Sequence, residues 1–123
     1  MFLFRRRGRG PRVSIGEART RTGGERPEAV LLDVREETEW RTGHAPGAVH
    51  APLTALDGGA VLPAPARGRP LVVICRSGHR SQRAVRLLAE RGADAVDVEG
   101  GMIAWAAAGL PVVDERGDGG SIA

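Results

Sequence analysis

The sequence predicts an α/β fold, a mostly parallel sheet flanked by helices on both faces. Two short continuous apolar runs, Ala29–Val34 (AVLLDV) and Leu71–Ile74 (LVVI), have the composition of strands buried on both sides. Helical patterns alternate with them, and that alternation implies parallel strands joined by right-handed crossovers. With two Phe, two Trp and no Tyr, the core falls to Val, Leu, Ile and Ala, which suits a β-branched sheet under Ala-rich helices.

Taken in order, Pro11–Val13 reads as a brief extended segment. Ser14 with Glu17 three residues on has the form of a capping box that starts a short helix, broken by residues 21–27. Ala29–Val34 is the first buried strand, and the acidic EETEW after it reads as a helical turn. Residues 43–52, GHAPGAVHAP, mix turn formers with a brief Ala-Val-His strand, and Pro46 and Pro52 forbid a helix through them. Residues 57–70 read as loop. After Leu71–Ile74 comes the clearest helix: Ala84, Val85, Leu87 and Leu88 share one face while Gln82, Arg83, Arg86 and Glu90 take the other, and Gly92 stops it. Ala95–Val98 is a further strand. Gly100-Gly101 then turns the chain into an Ala-rich helix closed by Gly109 and Pro111. Residues 115–123, ERGDGGSIA, read as a disordered tail, and 1–11, MFLFRRRGRGP, as a flexible Arg-rich arm, leaving 12–114 as the folded domain.

Composition narrows the function. The 123 residues suffice for one domain, and a 27% charged share with 41% hydrophobic residues is ordinary globular usage. No apolar run reaches the roughly 20 residues a bilayer span needs, and the opening Met-Phe-Leu-Phe is too short for a secretory signal, so the chain is read as cytoplasmic with no membrane partner. Its one cysteine, Cys75, excludes an internal disulfide and a thiolate-rich metal module. No metal or organic cofactor is implied, since neither a ligand cluster nor a dinucleotide Gly fingerprint is present. The first 26 residues hold eight Arg against two Glu, the rest ten Arg against thirteen acids. Clustered Arg is the usual footprint of nucleic-acid binding, yet without interleaved aromatics the arm reads as a solvated terminus and no nucleic-acid partner is expected.

The chemistry concentrates at Cys75. The segment LVVI-CRSGHRS-QRAVRLLAERG is a strand, a loop that begins with cysteine, and a helix. Backbone N–H groups of a tight Gly-containing loop converge on one point, and the helix N-terminus adds its unsatisfied N–H groups and positive dipole end. Such an anion hole, with Arg76 and Arg80 near it, favours an exposed, nucleophilic thiolate. Most lone cysteines are buried small hydrophobes, but a core cysteine has no use for two Arg, two Ser, a His and a Gly in the next six positions.

CRSGHRS resembles the active-site loop of single-domain rhodanese-like sulfurtransferases. LLDVREETEWRTGHAPGAVHAPL at residues 31–53 is similar to that family's amino-terminal signature, and GGMIAWAAAGLPV, from residue 100, to its carboxyl-terminal one. The resemblance implies a five-stranded sheet and a persulfide mechanism. Cys75 would take the sulfane sulfur of a small-molecule donor, thiosulfate or a persulfide, and pass it to cyanide, a thiol or a partner protein's cysteine. The loop Arg76, Ser77, Gly78, His79, Arg80 and Ser81 would bind the substrate anion, with Arg76 and Arg80 receiving it. Related phosphatases and arsenate reductases use five residues between Cys and Arg, whereas four separate Cys75 from Arg80, so the smaller cradle favours sulfur. The alternative from another class is a rhodanese-fold protein-docking or regulatory module with little turnover.

The remaining candidates have milder readings. Asp33 and Arg35, at the end of the first buried strand, are expected to pair and anchor loops in support of the site. His44 is expected to satisfy loop backbone rather than act as a base. His79 is read as shaping the substrate, Ser81 as capping or packing the helix start, and Trp40 and Trp105 as core fillers between helix and sheet.

Overall fold

The computed structural model describes residues 11–123, so all of the expected arm except Pro11 lies outside the described residues. The elements are β1 (Arg12–Val13), α1 (Ile15–Thr22), β2 (Val30–Asp33), α2 (Glu37–Thr42), β3 (Val49–His50), α3 (Leu53–Asp57), β4 (Leu71–Ile74), α4 (Arg80–Glu90), β5 (Ala95–Val98) and α5 (Gly101–Ala107). The five strands form one sheet in the order β1-β5-β4-β2-β3, and every neighbouring pair is parallel.

Alternation along the strands divides the core in two. Leu32, Leu71, Val73 and Cys75 face Leu53 and Leu56 of α3 and Ala84, Val85 and Leu88 of α4. Val13, Leu31, Val72, Ile74, Val96 and Val98 face the other way, onto Ala18 of α1 and Met102 and Trp105 of α5. All four β4 residues are buried, as a central strand covered on both faces requires. Ser14 caps α1, its Oγ accepting from Glu17 N at 3.1 Å.

Several elements differ from expectation. A helix, α3, follows Pro52, and Ala64–Ala66 form a 3₁₀ turn inside the expected 57–70 loop. LTALD is too short to show helical periodicity; Leu53 and Leu56 make it helical by burying one side. Residues 115–123, expected to be disordered, take defined positions. Val113 bridges both His44 and Gly119, Gly120 N donates to Val112 O at 3.0 Å, Ser121 N donates to Thr42 O at 3.1 Å, and Ile122 packs on the α1/α5 core. Backbone pairing orders a segment whose composition is that of a coil. Trp105 is a core residue, whereas Trp40 is not: it lies half-buried between two imidazoles, His44 at 3.5 Å and His50 at 4.6 Å between ring centroids. Among the described residues no helix is long and apolar enough to cross a membrane.

Candidate active site

β4 delivers Cys75 to the carboxyl end of the sheet, where open parallel sheets place their ligands. The loop from Cys75 to His79 is held from outside by α5. Met102 N donates to Cys75 O at 2.7 Å and Ile103 N donates to Arg76 O at 3.0 Å, so the first turn of α5 satisfies the two carbonyls that lead into the loop. That approach requires Gly101: its φ is +58°, and a Cβ there would collide with Cys75 O and lie 2.6 Å from Arg76 O. The GGM sequence is therefore a clamp on the cysteine loop as well as a turn.

Cys75 is buried, 1% exposed, which corrects the expectation of an exposed thiol. Its sulfur accepts from Gly78 N at 3.1 Å, and its S–H donates to Ser81 Oγ at 3.3 Å. Gly78 has φ +105°, and a Cβ would stand 2.8 Å from Arg12 Nη2, so only glycine turns this amide onto the sulfur. Gln82 Nε2 donates to Gly78 O at 2.8 Å and secures the same peptide from α4. Ser81, expected to cap or pack the helix start, packs there rather than capping: it is fully buried, and its Oγ donates to Asp97 Oδ2 at 3.0 Å. The α4 N-cap is His79, which makes no side-chain cap; it is exposed, as are Arg76 and Ser77.

The arginines are engaged differently from the expectation that both would receive an anion. Arg80 makes a bidentate pair with Glu39 of α2, both contacts 2.7 Å. That pair holds the Glu39 carboxyl at a pKa of about 2 and raises Arg80 above its ordinary value, with desolvation opposing both shifts. Arg76 Nε donates to Ala123 O at 2.7 Å, on the docked tail. Asp33 and Arg35 form a fully buried ion pair, Nη2 to Oδ2 2.8 Å and Nε to Oδ1 3.0 Å, and Arg35 Nη2 also donates to Gly43 O at 2.6 Å. Since Leu31 and Ile74 lie on the α1/α5 face, alternation directs Asp33 to that face, opposite Cys75. His44 Nδ1 contacts Trp40 O at 2.7 Å, and its backbone bridges Val113.

Three members of the site were not anticipated from sequence: Glu39, and Asp97 and Arg12, which face each other across the β1–β5 register. Arg12 Nε donates to Asp97 Oδ1 at 3.2 Å, and Nη2 donates to Asp97 Oδ2 and Gly78 O, both at 3.0 Å. A charge inside an otherwise apolar strand, Asp97 in AVDV, was the available signal, since a buried carboxylate needs a partner.

Known proteins resemble this chain in sequence and fold. A family model described as "Rhodanese-like domain" matches residues 16–108. A "Putative sulfurtransferase YtwF" of Bacillus subtilis is 40% identical over 78 residues, 63% of this chain and 74% of that protein. A "Sulfurtransferase" of Allochromatium vinosum is 34% identical over 91 residues, 73% of this chain and 83% of that one. The crystal structure of a rhodanese-related protein from Thermoplasma volcanium superposes with a TM-score of 0.68 at 29% identity, covering 85% of this chain and 99% of that one. The chain spans about half or less of other curated relatives, 48% and 19% of two of them. With the model matched over most of its length, and a parallel five-stranded sheet carrying the cysteine loop at its carboxyl end, the chain belongs to the rhodanese-like domain family.

Proposed function

We propose that this chain is a sulfurtransferase that moves sulfane sulfur from thiosulfate or a persulfide to a thiophilic acceptor through a persulfide on Cys75. The observation that carries the reading is the Gly78 amide donating to the Cys75 sulfur at the head of α4, an arrangement suited to a sulfur anion. The thiolate attacks the outer sulfur of thiosulfate; the new S–S bond forms as the old one breaks, and sulfite leaves with the electron pair. Cyanide or a thiolate then attacks the outer sulfur of the persulfide, taking it and returning the bonding pair to Cys75. No external oxidant or reductant enters, and two half-reactions on one residue give ping-pong kinetics. Arg76 and His79, exposed at the loop, are the side chains an incoming anion meets first, while Arg80 meets it already paired to Glu39. A thiol that must cycle through a persulfide suits a reducing compartment, which supports a cytoplasmic site of action. One relative is named "Adenylyltransferase and sulfurtransferase", and a protein cysteine as sulfur acceptor is part of the same proposal.

The burial of Cys75 favours a second reading, a docking or regulatory module with little turnover. Intact mass separates the two. After thiosulfate or glutathione persulfide the protein gains about 32 Da, one sulfur atom, which cyanide removes and which Cys75→Ser never shows. No gain from either donor overturns the sulfurtransferase reading in favour of docking.

A further inference from the structure

The hydrogen-bond directions around Cys75 are set by donor supply. Asp97 is buried, 1% exposed, and each of its oxygens accepts from Arg12 in an ion pair, so it meets Ser81 as an acceptor. The single hydroxyl hydrogen of Ser81 therefore goes to Asp97 Oδ2, at 3.0 Å. Toward Cys75, Ser81 has only lone pairs left to offer, and the sulfur 3.3 Å away must supply the hydrogen.

We propose that Asp97 is a positioning residue that turns the Ser81 hydroxyl away from Cys75, holding the buried sulfur as the thiol, and that Arg12 offsets this restraint by neutralising Asp97. The idea rests on the sulfurtransferase reading, in which the thiolate is the attacking species. Ionisation breaks the S–H bond, leaves the electron pair on sulfur and passes the proton to a solvent base. Ser81 then rotates its hydrogen onto the anion beside the Gly78 amide. Asp97 loses one donor and keeps two, both from Arg12. The other charged or titratable groups near Cys75 are Arg80 at the head of α4, already paired to Glu39 of α2, and Arg76 and His79 of the loop itself. Arg12 belongs to the same field, its own pKa raised chiefly by its hydrogen bonds to Asp97.

The chain has one cysteine and no tyrosine, so the ultraviolet absorbance of the thiolate can be titrated against pH without interference from either. Asp97→Asn is expected to raise the thiolate signal at neutral pH several-fold and move the titration midpoint to lower pH. Arg12→Gln is expected to move it to higher pH, and Arg12→Lys to restore it by keeping the charge. Opposite displacements distinguish the proposal from a merely structural ion pair, for which both neutralising variants loosen the same contact and displace the midpoint the same way. Displacements in one direction, or none in either variant, overturn it. If Asp97→Asn does not fold, Arg12→Gln against Arg12→Lys decides, and an unmoved midpoint in Arg12→Gln sinks the idea. The absorbance needs no sulfur donor, so this result stands apart from success or failure of the sulfur-transfer assay.

Discussion

The two ends of the sheet use the same residue type for opposite purposes. At the carboxyl end, Arg12, Arg35 and Arg80 each meet a carboxylate: Asp97, Asp33 and Glu39, at 3.0, 2.8 and 2.7 Å. At the amino end, Arg67, Arg69 and Arg91 line a groove with Leu71, Leu88 and Val61 and donate to main-chain carbonyls. Arg67 Nε reaches Leu62 O at 2.7 Å, Arg69 Nη2 reaches Pro27 O at 2.9 Å, and Arg91 Nη1 reaches Ala60 O at 2.8 Å. An arginine count is therefore a poor guide to the field at Cys75. Pairing engages Arg12 and Arg80 beside the cysteine loop and leaves stabilisation of an anion at the sulfur largely to backbone and hydroxyl donors, while the amino-end cations act as loop staples.

The largest expected effect is at the most buried pair. Arg35→Met leaves the Asp33 carboxylate uncompensated and costs about 3–5 kcal/mol in urea unfolding. A loss below about 1 kcal/mol would show that the pair does not anchor the Gly43 turn. Next comes the half-buried rim of the site. Glu39→Gln frees Arg80, and the KM for thiosulfate is expected to fall several-fold with kcat little changed; an unchanged KM would mean that Arg80 does not meet the donor. The same variant tests linkage. Because the folded-state pKa of Glu39 is depressed from 4.5 to about 2, its stabilisation is complete above the unfolded value and drains away as pH falls through the folded one. Unfolding free energy measured from pH 5 down to 2 should therefore be flatter in Glu39→Gln than in the parent chain. The smallest effect lies at the amino end, where Arg91→Ala removes two carbonyl contacts, costs about 1–2 kcal/mol and leaves sulfur transfer untouched. A matching loss of activity would erase the contrast between the ends.

What could be read from the sequence was what local periodicity carries. LVVI and AVLLDV announce strands covered on both faces because their apolar runs are unbroken, and the Ala84–Leu88 stripe announces an amphipathic helix because its burial recurs at intervals of three to four residues. The cysteine loop was visible for the same reason, its residues being contiguous. The pairings were not visible. Arg12 and Asp97 are 85 positions apart, and Arg80 and Glu39 are 41, so their meeting depends on strand order and register rather than on any neighbouring residue. Ser81 was legible only as a residue that caps or packs the helix start; β5 alone reveals the carboxylate that claims its hydrogen. The tail was misread because main-chain bonds along residues 42–44 and 112–113 leave no mark on composition.

The strand order has a consequence for how the molecule comes into being. Among the described residues, β5, the last strand in sequence, lies between β1, the first, and β4, so the sheet closes by inserting a late strand beside an early one. Closing a loop of that length is entropically slow compared with forming the local β4–α4 unit. A chain growing from its amino end therefore carries Cys75 for a time as an ordinary thiol, without Asp97, without the α5 clamp on its loop, and free to react indiscriminately. A chain cut short before residue 95 would hold Cys75 without β5 and α5, and so without the Asp97 carboxylate behind Ser81 and the amides that grip the cysteine loop.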